Sequence, residues 1–331
     1  FSAPESRAIR DFMASRRIGG RQQIKTAITF HTAGEQILWP YGYTKADVPL
    51  DMTADDHAAL VALGRKMAAT NGYAAMQSSG LYVTDGDEID WAYGHEGIFM
   101  YTFELYPSHD LVSTTARFYP ADERILAQTE RNKPAILMLI EAAGCRYGLT
   151  GKTAANCGPL YDTFQTYGGW VANPLGTDTA TGGAWQRANP SATTRQAGTV
   201  PSGSHALVTG ARAGSTVGAY DVDGGVTTIR SAPVVLPAAV GALTFRYYLA
   251  HSSNSSSADY FRVYVETADG TRTLVGQERG AANTDLPRWG TANIALTRWV
   301  GQTIRIVFAA ADLGAPSTIE AAVDDVRITR P

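Results

Sequence analysis

Lysine and methionine are missing from the second half of this sequence. All five lysines lie at or before Lys152 and all six methionines at or before Met138, although the chain has 331 residues. No apolar run reaches the length of a membrane span, and 28 Lys and Arg residues nearly balance 31 Asp and Glu residues. The sequence therefore indicates neither a membrane segment nor a nucleic-acid partner.

Cysteine is also scarce, with only Cys145 and Cys157. No CxxC or Cys/His spacing accompanies them, which excludes the usual cysteine-based metal motifs. A local disulfide in an exported protein is the favoured interpretation, and two unrelated free thiols are the alternative. The chain starts at Phe1, in a stretch that resembles the interior of a domain, so we expect a piece of a longer, secreted protein.

Helical and strand patterns alternate in the first part of the chain, which favours an α/β fold. Ser2 with Glu5 predicts a capping box at the start of a first helix. Thr53 and Gly72 are placed to begin and end a second helix. The run GIFMYTFEL is typical of a buried strand.

The composition changes after the cysteine loop. Gly, Ser, Thr, Ala and Val dominate, and short alternating runs such as YFRVYVET and TIRIVFAA are separated by turn clusters. This pattern predicts an all-β, antiparallel sandwich. We place the boundary near Gly158, which gives domains at residues 1–158 and 159–331.

His31 and Glu104 are the first candidate functional residues. His31 ends a strand-like run beside a glycine-containing loop, where packing alone would also account for it. Glu104 interrupts an apolar strand, and an isolated buried carboxylate is costly unless it is paired, bound to metal or catalytic. A buried salt bridge is the plain alternative for Glu104.

The sequence resembles the zinc metallocarboxypeptidases, the family of carboxypeptidases A, B and T, and most closely the carboxypeptidase T branch. Three stretches carry the resemblance: FHTAGEQILWPYGY around His31, LYVTDGDEIDWAYGHEGIF around Tyr82, and YTFEL around Glu104. They occur in the family's order and spacing, and the resemblance extends over residues 1–145. It implies the C-terminal part of a mixed-sheet catalytic domain, followed by a jelly-roll-like accessory sandwich.

The resemblance also implies residue roles. His31 matches the third zinc ligand, and Glu104 matches the general base that acts on zinc-bound water. Tyr82 matches the mobile tyrosine that closes over the substrate. The pocket for the C-terminal side chain of a peptide substrate is formed, by the same resemblance, from Gly42, Leu81, Asp87 and Ile89.

This chain departs from the family pattern upstream of His31. The family's H-x-x-E pair and the Arg and Asn-Arg residues that bind the substrate have no counterpart here. We therefore expect the chain to lack activity alone and to need its own missing N-terminal part. The competing hypothesis is a binding or adhesion module on a peptidase remnant, and an upstream sequence with substituted ligand positions would favour it.

The pocket residues predict specificity. Ile89 lies where the family carries an apolar residue in enzymes that prefer Phe or Leu. Asp87 lies where carboxypeptidase T-like enzymes carry an acid and accept both apolar and basic residues, although capping of a turn would equally explain it. We therefore expect dual specificity.

The second domain offers a possible calcium site. Carboxylates at the ends of a sandwich sheet can meet across an edge and bind calcium, although solvated turn aspartates would look the same in sequence. The candidates are Asp162, Asp178, Asp324 and Asp325.

Overall fold

The computed structural model describes residues 1–108 and 117–331. These residues form two compact units. The first comprises Phe1–Ile18 with Gln22–Thr153, and the second comprises Gly19–Arg21 with Ala154–Pro331. Cys145 and Cys157, the only cysteines, are both disulfide-bonded and therefore bond to each other, which confirms the predicted disulfide.

The first unit is built around a four-stranded mixed sheet. The N-terminal elements are helix α1 (Pro4–Ser15) and the short strands β1 (Arg17–Ile18) and β2 (Arg21–Gln22). The sheet consists of β3 (Thr26–Thr32), β4 (Gln36–Trp39), β5 (Ala74–Gln77) and β6 (Phe99–Leu105) in the order β3-β6-β4-β5. β3 is parallel to β6 and β4 to β5, whereas β4 is antiparallel to β6. The predicted mixed sheet is confirmed.

Three longer helices accompany this sheet: α2 (Ala54–Asn71), α3 (Glu88–Glu96) and α4 (Ile125–Ala142). The hydroxyl of Thr53 accepts a hydrogen bond from Asp56 N at 3.0 Å, and Gly72 closes α2 with a φ of 69°. Both predicted ends of α2 are therefore confirmed. The predicted capping box of Ser2 and Glu5 is wrong: the N-cap is Ala3, whose methyl side chain cannot accept a hydrogen bond, and Pro4 begins the helix with a residue that has no N–H.

The second unit is a sandwich of two six-stranded sheets, and the predicted all-β class is confirmed. Its elements begin with a short helix, α5 (Thr153–Asn156), followed by strands β7 (Leu160–Asp162), β8 (Val171–Ala172), β9 (Trp185–Ala188), β10 (Ala206–Thr209), β11 (Gly225–Arg230), β12 (Val234–Val235), β13 (Ala242–His251), β14 (Tyr260–Thr267), β15 (Arg272–Arg279), β16 (Gly290–Ala295), β17 (Thr303–Asp312) and β18 (Ile319–Ile328). One sheet has the order β16-β13-β18-β10-β9 with β7 paired to β18, and the other has β15-β14-β17-β11-β8 with β12 paired to β17.

Aromatic rings fill the space between these two sheets. Phe245, Phe261 and Phe308 are almost fully buried, and the rings of Phe261 and Phe308 lie 5.9 Å apart and nearly parallel. Apolar side chains at alternate strand positions face this core, as expected when two sheets pack face to face. The jelly-roll order of the strands stays a prediction.

Candidate functional site

His31 and Glu104 lie side by side at the carboxyl ends of two parallel strands. The register of β3 and β6 pairs His31 directly with Glu104. Residues paired in register on neighbouring strands project from the same face, so the imidazole and the carboxylate share one side of the sheet. His31 is exposed and Glu104 is half-buried. The arrangement leaves His31 available as a ligand beside an acid that can accept a proton.

The turn after His31 is fixed by contacts that the sequence did not predict. Leu105 O accepts hydrogen bonds from the N–H groups of Gly34 and Glu35 at 2.9 and 3.3 Å. Glu35 has a φ of 53°, and its Oε1 forms an ion pair with Arg131 Nη1 at 2.7 Å. Arg131 of α4 therefore anchors the turn that joins the strand carrying His31 to β4.

A second group of residues surrounds Gly42. A Cβ at this position would lie 3.3 Å from both Asp87 Oδ2 and Ser78 Oγ, so the backbone here passes close to polar side chains. Gly42 O accepts a hydrogen bond from Thr84 N at 3.1 Å. The predicted pocket residues Gly42 and Asp87 are thus brought together.

Asp87 has two roles in its local structure. It is the N-cap of α3, where Oδ1 accepts a hydrogen bond from Ile89 N at 3.2 Å. Its other oxygen, Oδ2, lies 3.4 Å from Ser78 Oγ and faces Gly42. Capping therefore uses one oxygen and leaves the second oriented toward the Gly42 backbone.

The remaining predicted pocket residues differ in their exposure. Tyr82 is 65% exposed, and Leu81 is half-buried. Ile89 is fully buried in a cluster with Met13, Ala92, Ile98 and Met100. Its packing role is clear from the structure, while its role in a substrate pocket stays a prediction.

Asp90 and Glu88 complete the region, and neither was predicted from the sequence to have a functional role. Asp90 accepts hydrogen bonds from Gly42 N at 2.8 Å and from Tyr43 N at 3.1 Å, so it holds the Gly42 backbone in place. Burial raises the pKa of Asp90 to about 6, against the opposing effect of those N–H donors. Burial also raises the pKa of Glu88, while a hydrogen bond from Thr29 and the charge of His31 lower it. Glu88 is therefore a second acid close to His31.

The first unit contains one residue, His31, that is suited to serve as a zinc ligand. His31 offers a single imidazole, and residues 1–108 and 117–331 contain no group of three or more His, Cys, Asp or Glu residues that could hold a metal ion. A catalytic zinc site has three protein ligands. The described residues therefore do not provide a complete set of three ligands.

The calcium candidates of the second unit do not form such a group either. Asp178 binds Thr228 N and Thr228 Oγ1, and Asp162 accepts hydrogen bonds from Phe164 N and Trp170 Nε1. Asp324 accepts from the backbone N–H groups of Ser202 and Asp325, and Asp325 pairs with Arg327 at 3.1 Å. A calcium site built from these four residues stays a prediction, without support from their contacts.

The buried carboxyl group of Asp324 makes the stability of the second unit depend on pH. Burial and the charge of Asp325 raise the pKa of Asp324 to about 8, and burial raises that of Glu320 to about 9. A raised pKa means that the folded chain binds these protons more tightly than the unfolded chain does. Protonation therefore stabilises the fold at low pH, and this stabilisation is lost as the pH rises toward 8 or 9. We expect the unfolding midpoint of the second unit to fall by at least about 5 °C between pH 5 and pH 9.

Calorimetry of the wild type and of Asp324→Asn checks this prediction. Asn resembles the protonated acid, so this variant should show a smaller pH dependence, while the exposed turn variant Asp269→Asn should keep the wild-type slope. A midpoint that rises with pH over this range would contradict the prediction.

The first part of the chain is similar to zinc carboxypeptidases. Residues 1–135 match the sequence model of the Peptidase_M14 family, described as zinc carboxypeptidase. The chain is 44% identical over 142 residues to a zinc carboxypeptidase of Saccharothrix mutabilis subsp. capreolus, which covers 43% of this chain and 32% of that protein. It is 30% identical over 156 residues to carboxypeptidase O of Bos taurus, covering 45% of this chain and 38% of that protein.

Residues 1–135 therefore match the zinc carboxypeptidase family, and the resemblance inferred from the three sequence stretches is confirmed. The chain spans about a third of the length of these curated relatives. No helix among the described residues is long and apolar enough to cross a membrane.

The sandwich is similar to solved domains only at low scores. The K1 cleaved adhesin domain of Lys-gingipain from Porphyromonas gingivalis W83 has a TM-score of 0.36 and 16% identity, covering 52% of this chain and 98% of that one. A family 22 carbohydrate-binding module of Clostridium thermocellum Xyn10B has a TM-score of 0.29 and 17% identity, covering 53% and 96%. These scores are too low to establish a common fold, and the sandwich is defined by its own strand pairing.

Proposed function

We propose that residues 1–158 form the C-terminal part of a secreted, zinc-dependent carboxypeptidase that removes C-terminal residues from peptides. The observation that carries this proposal is the pairing of His31 with Glu104 on β3 and β6, inside a segment that matches the zinc carboxypeptidase family. The disulfide between Cys145 and Cys157 is consistent with an oxidising, extracellular compartment.

Each residue has a defined part in the proposed reaction. His31 would hold the zinc as one of its ligands, and the bound metal would supply polarisation of the scissile carbonyl and activation of a water molecule. Glu104 would take a proton from the attacking water and deliver it to the leaving amine. Tyr82, exposed at the loop that follows Gly80, covers the C-terminal residue of the substrate, which shields that end of the substrate from bulk solvent.

A surface of the first unit is suited to receive the rest of the catalytic domain. β3 is at the edge of its sheet, and an edge strand presents unpaired N–H and C=O groups to an incoming strand. Phe30 on β3 is 50% exposed and borders a cavity of about 510 Å³ whose lining also includes Leu105, Ile125 and Ile136. We propose that the missing N-terminal part covers this surface and brings the two remaining zinc ligands.

The test of the function is peptide trimming by the complete protein. Mass spectrometry of a peptide mixture should show stepwise loss of C-terminal residues, and the same peptides with amidated C-termini should be trimmed far more slowly. Release of internal fragments, or equal trimming of free and amidated peptides, would contradict a carboxypeptidase.

Asp87 is expected to determine whether basic residues are accepted. In the complete enzyme, Asp87→Asn should lower kcat/KM for a peptide ending in Arg by about tenfold, because the guanidinium loses a charged partner, and should change a Phe-ending peptide by less than about twofold. Asn is as good an N-cap as Asp, so the cap of α3 is retained while the charge is removed.

The matched control is Asp85→Asn, an exposed aspartate in the same loop. It should leave both substrates unaffected. Equal losses on Arg-ending and Phe-ending peptides in Asp87→Asn would show that Asp87 acts only as a structural cap.

A further inference from the structure

One outer face of the sandwich is rich in arginine. In the sheet β15-β14-β17-β11-β8, residues such as Ile229, Phe261 and Phe308 point into the core, so their neighbours along each strand form the outer face. Five arginines lie on that face: Arg230, Arg262, Arg272, Arg279 and Arg305. We propose that this face binds an acidic polysaccharide, a linear polymer of sugars that carry carboxylate groups. The site is independent of the peptidase segment.

The strand register places the arginines in rows across the sheet. Arg262 on β14 lies beside Gln277 of β15. Four residues further along β14, about 13 Å away, Glu266 lies between Arg305 of β17 and Arg272 of β15. A linear polymer spans both rows at once, whereas a single small anion contacts only one of them.

The positive charge of this face is only partly neutralised within the described part of the chain. Glu266 is 4% exposed and pairs with Arg230 Nη1 at 2.9 Å and with Arg272 Nε at 2.8 Å. Asp178 is the other carboxylate at this face, where it binds Thr228. Three arginines form no ion pair among the described residues: Arg262, Arg279 and Arg305. The face therefore keeps an excess of positive charge, although the whole chain has a formal net charge of −3.

The guanidinium group of Arg262 is fixed by an aromatic ring. Its Cζ lies 3.7 Å from the centroid of the Tyr260 ring. Arg262 Nε and, in the other row, Arg272 Nη2 are buried nitrogen atoms without a hydrogen-bond partner among the described residues. A stacked guanidinium loses less conformational entropy when it binds a carboxylate than a freely moving one does. The face is therefore preorganised for anions.

The chemistry of the side chains favours carboxylate-bearing sugars over nucleic acid. A guanidinium group binds a carboxylate through two parallel hydrogen bonds. Gln277 and Tyr264, beside the arginines on the same face, offer polar groups for sugar hydroxyls. Single-stranded nucleic acid needs exposed aromatic rings on which its bases stack. The rings of this face are largely covered, because Tyr260 is 7% exposed beneath Arg262 and Tyr264 is half-buried.

Calorimetric titration of the full 331-residue chain with polygalacturonate oligomers tests the proposal. The same oligomers with methyl-esterified carboxyl groups are the matched probe, because they keep the sugar backbone and lose the negative charge. We expect binding to the acid form that weakens as NaCl is added. Binding to the ester should be at least about tenfold weaker.

Arg262→Gln and Arg279→Gln each remove a charge that has no acidic partner, so the ion pairs of Glu266 stay intact. Each variant should weaken binding by at least about threefold, and the double variant by at least about tenfold. Arg298→Gln is the matched control, because it removes the same charge from an exposed residue in the turn before β17, and it should leave the affinity unchanged. If Arg262→Gln does not fold, Arg279→Gln and Arg305→Gln decide the result.

The proposal is overturned if the acid form does not bind at about 1 mM oligomer, or if the ester binds equally well. It is also overturned if duplex DNA or phosphatidylserine vesicles bind more tightly than polygalacturonate at the same salt concentration, because the face would then serve another polyanion. Equal affinities of the wild type and the double variant would place the polymer on a different surface and overturn the proposal as well.

Discussion

Glu104→Gln in the complete protein should lower kcat/KM for a C-terminal Phe or Leu peptide by about a thousandfold, within the range that general acid–base catalysis contributes. Gln keeps the shape of the side chain and can still hydrogen-bond, but it cannot accept a proton from water. The zinc content should remain at the wild-type value, because Glu104 is proposed as the base and not as a ligand. Steady-state kinetics with metal analysis of the same samples measures both quantities.

Glu88→Gln tests whether the loss of activity is specific to Glu104. Glu88 is also a half-buried acid close to His31, but it begins α3 and is hydrogen-bonded to Thr29, and it is not paired with His31 across the sheet. We expect Glu88→Gln to keep activity within about fivefold of the wild type. An equal loss in both variants would contradict the assignment of Glu104 as the base.

His31→Ala should remove zinc from the complete protein. A catalytic site with three protein ligands loses one third of its protein donors in this variant, and we expect the affinity for zinc to fall by at least about a hundredfold. Activity should fall with the zinc content. Equilibrium dialysis against a chelating metal buffer gives the affinity directly.

The control for His31→Ala is His57→Ala, which changes a histidine at the start of α2. This variant should retain stoichiometric zinc. Tight zinc binding that survives the loss of His31 would show that the family alignment at this residue is wrong.

The helix ends show why local sequence predicts some elements and not others. Thr53 and Gly72 were predictable because a hydroxyl N-cap and a left-handed C-cap act within a single turn of chain. The capping box at Ser2 and Glu5 failed because Pro4, inside the same motif, moves the start of the helix by its own backbone geometry. Local signals were therefore reliable only where no neighbouring residue competed with them.

The candidate site could be predicted only in part from the sequence, for a different reason. The roles of His31 and Glu104 came from the family resemblance, but their pairing in register is a property of two strands separated by more than sixty residues. Asp90 and Arg131 act through backbone N–H groups and an ion pair that form only in the folded sheet. Ile89 illustrates the reverse case, since an apolar residue has the same sequence signal in a pocket and in the core where it packs.

In the second unit, too, the sequence did not predict the partners of the carboxylates. Asp162, Asp178, Asp324 and Asp325 were chosen because acids at sheet ends can meet, yet each is satisfied by nearby donors.

The most direct test of the proposed function compares residues 1–331 alone with the same residues joined to their upstream polypeptide. Both proteins are incubated with zinc and with a peptide ending in Phe, and released amino acid and bound zinc are measured together. We expect stoichiometric zinc and trimming for the joined protein, and only weak zinc binding without trimming for residues 1–331. Stoichiometric zinc and full activity in residues 1–331 alone would contradict it, as would a joined protein that binds no zinc.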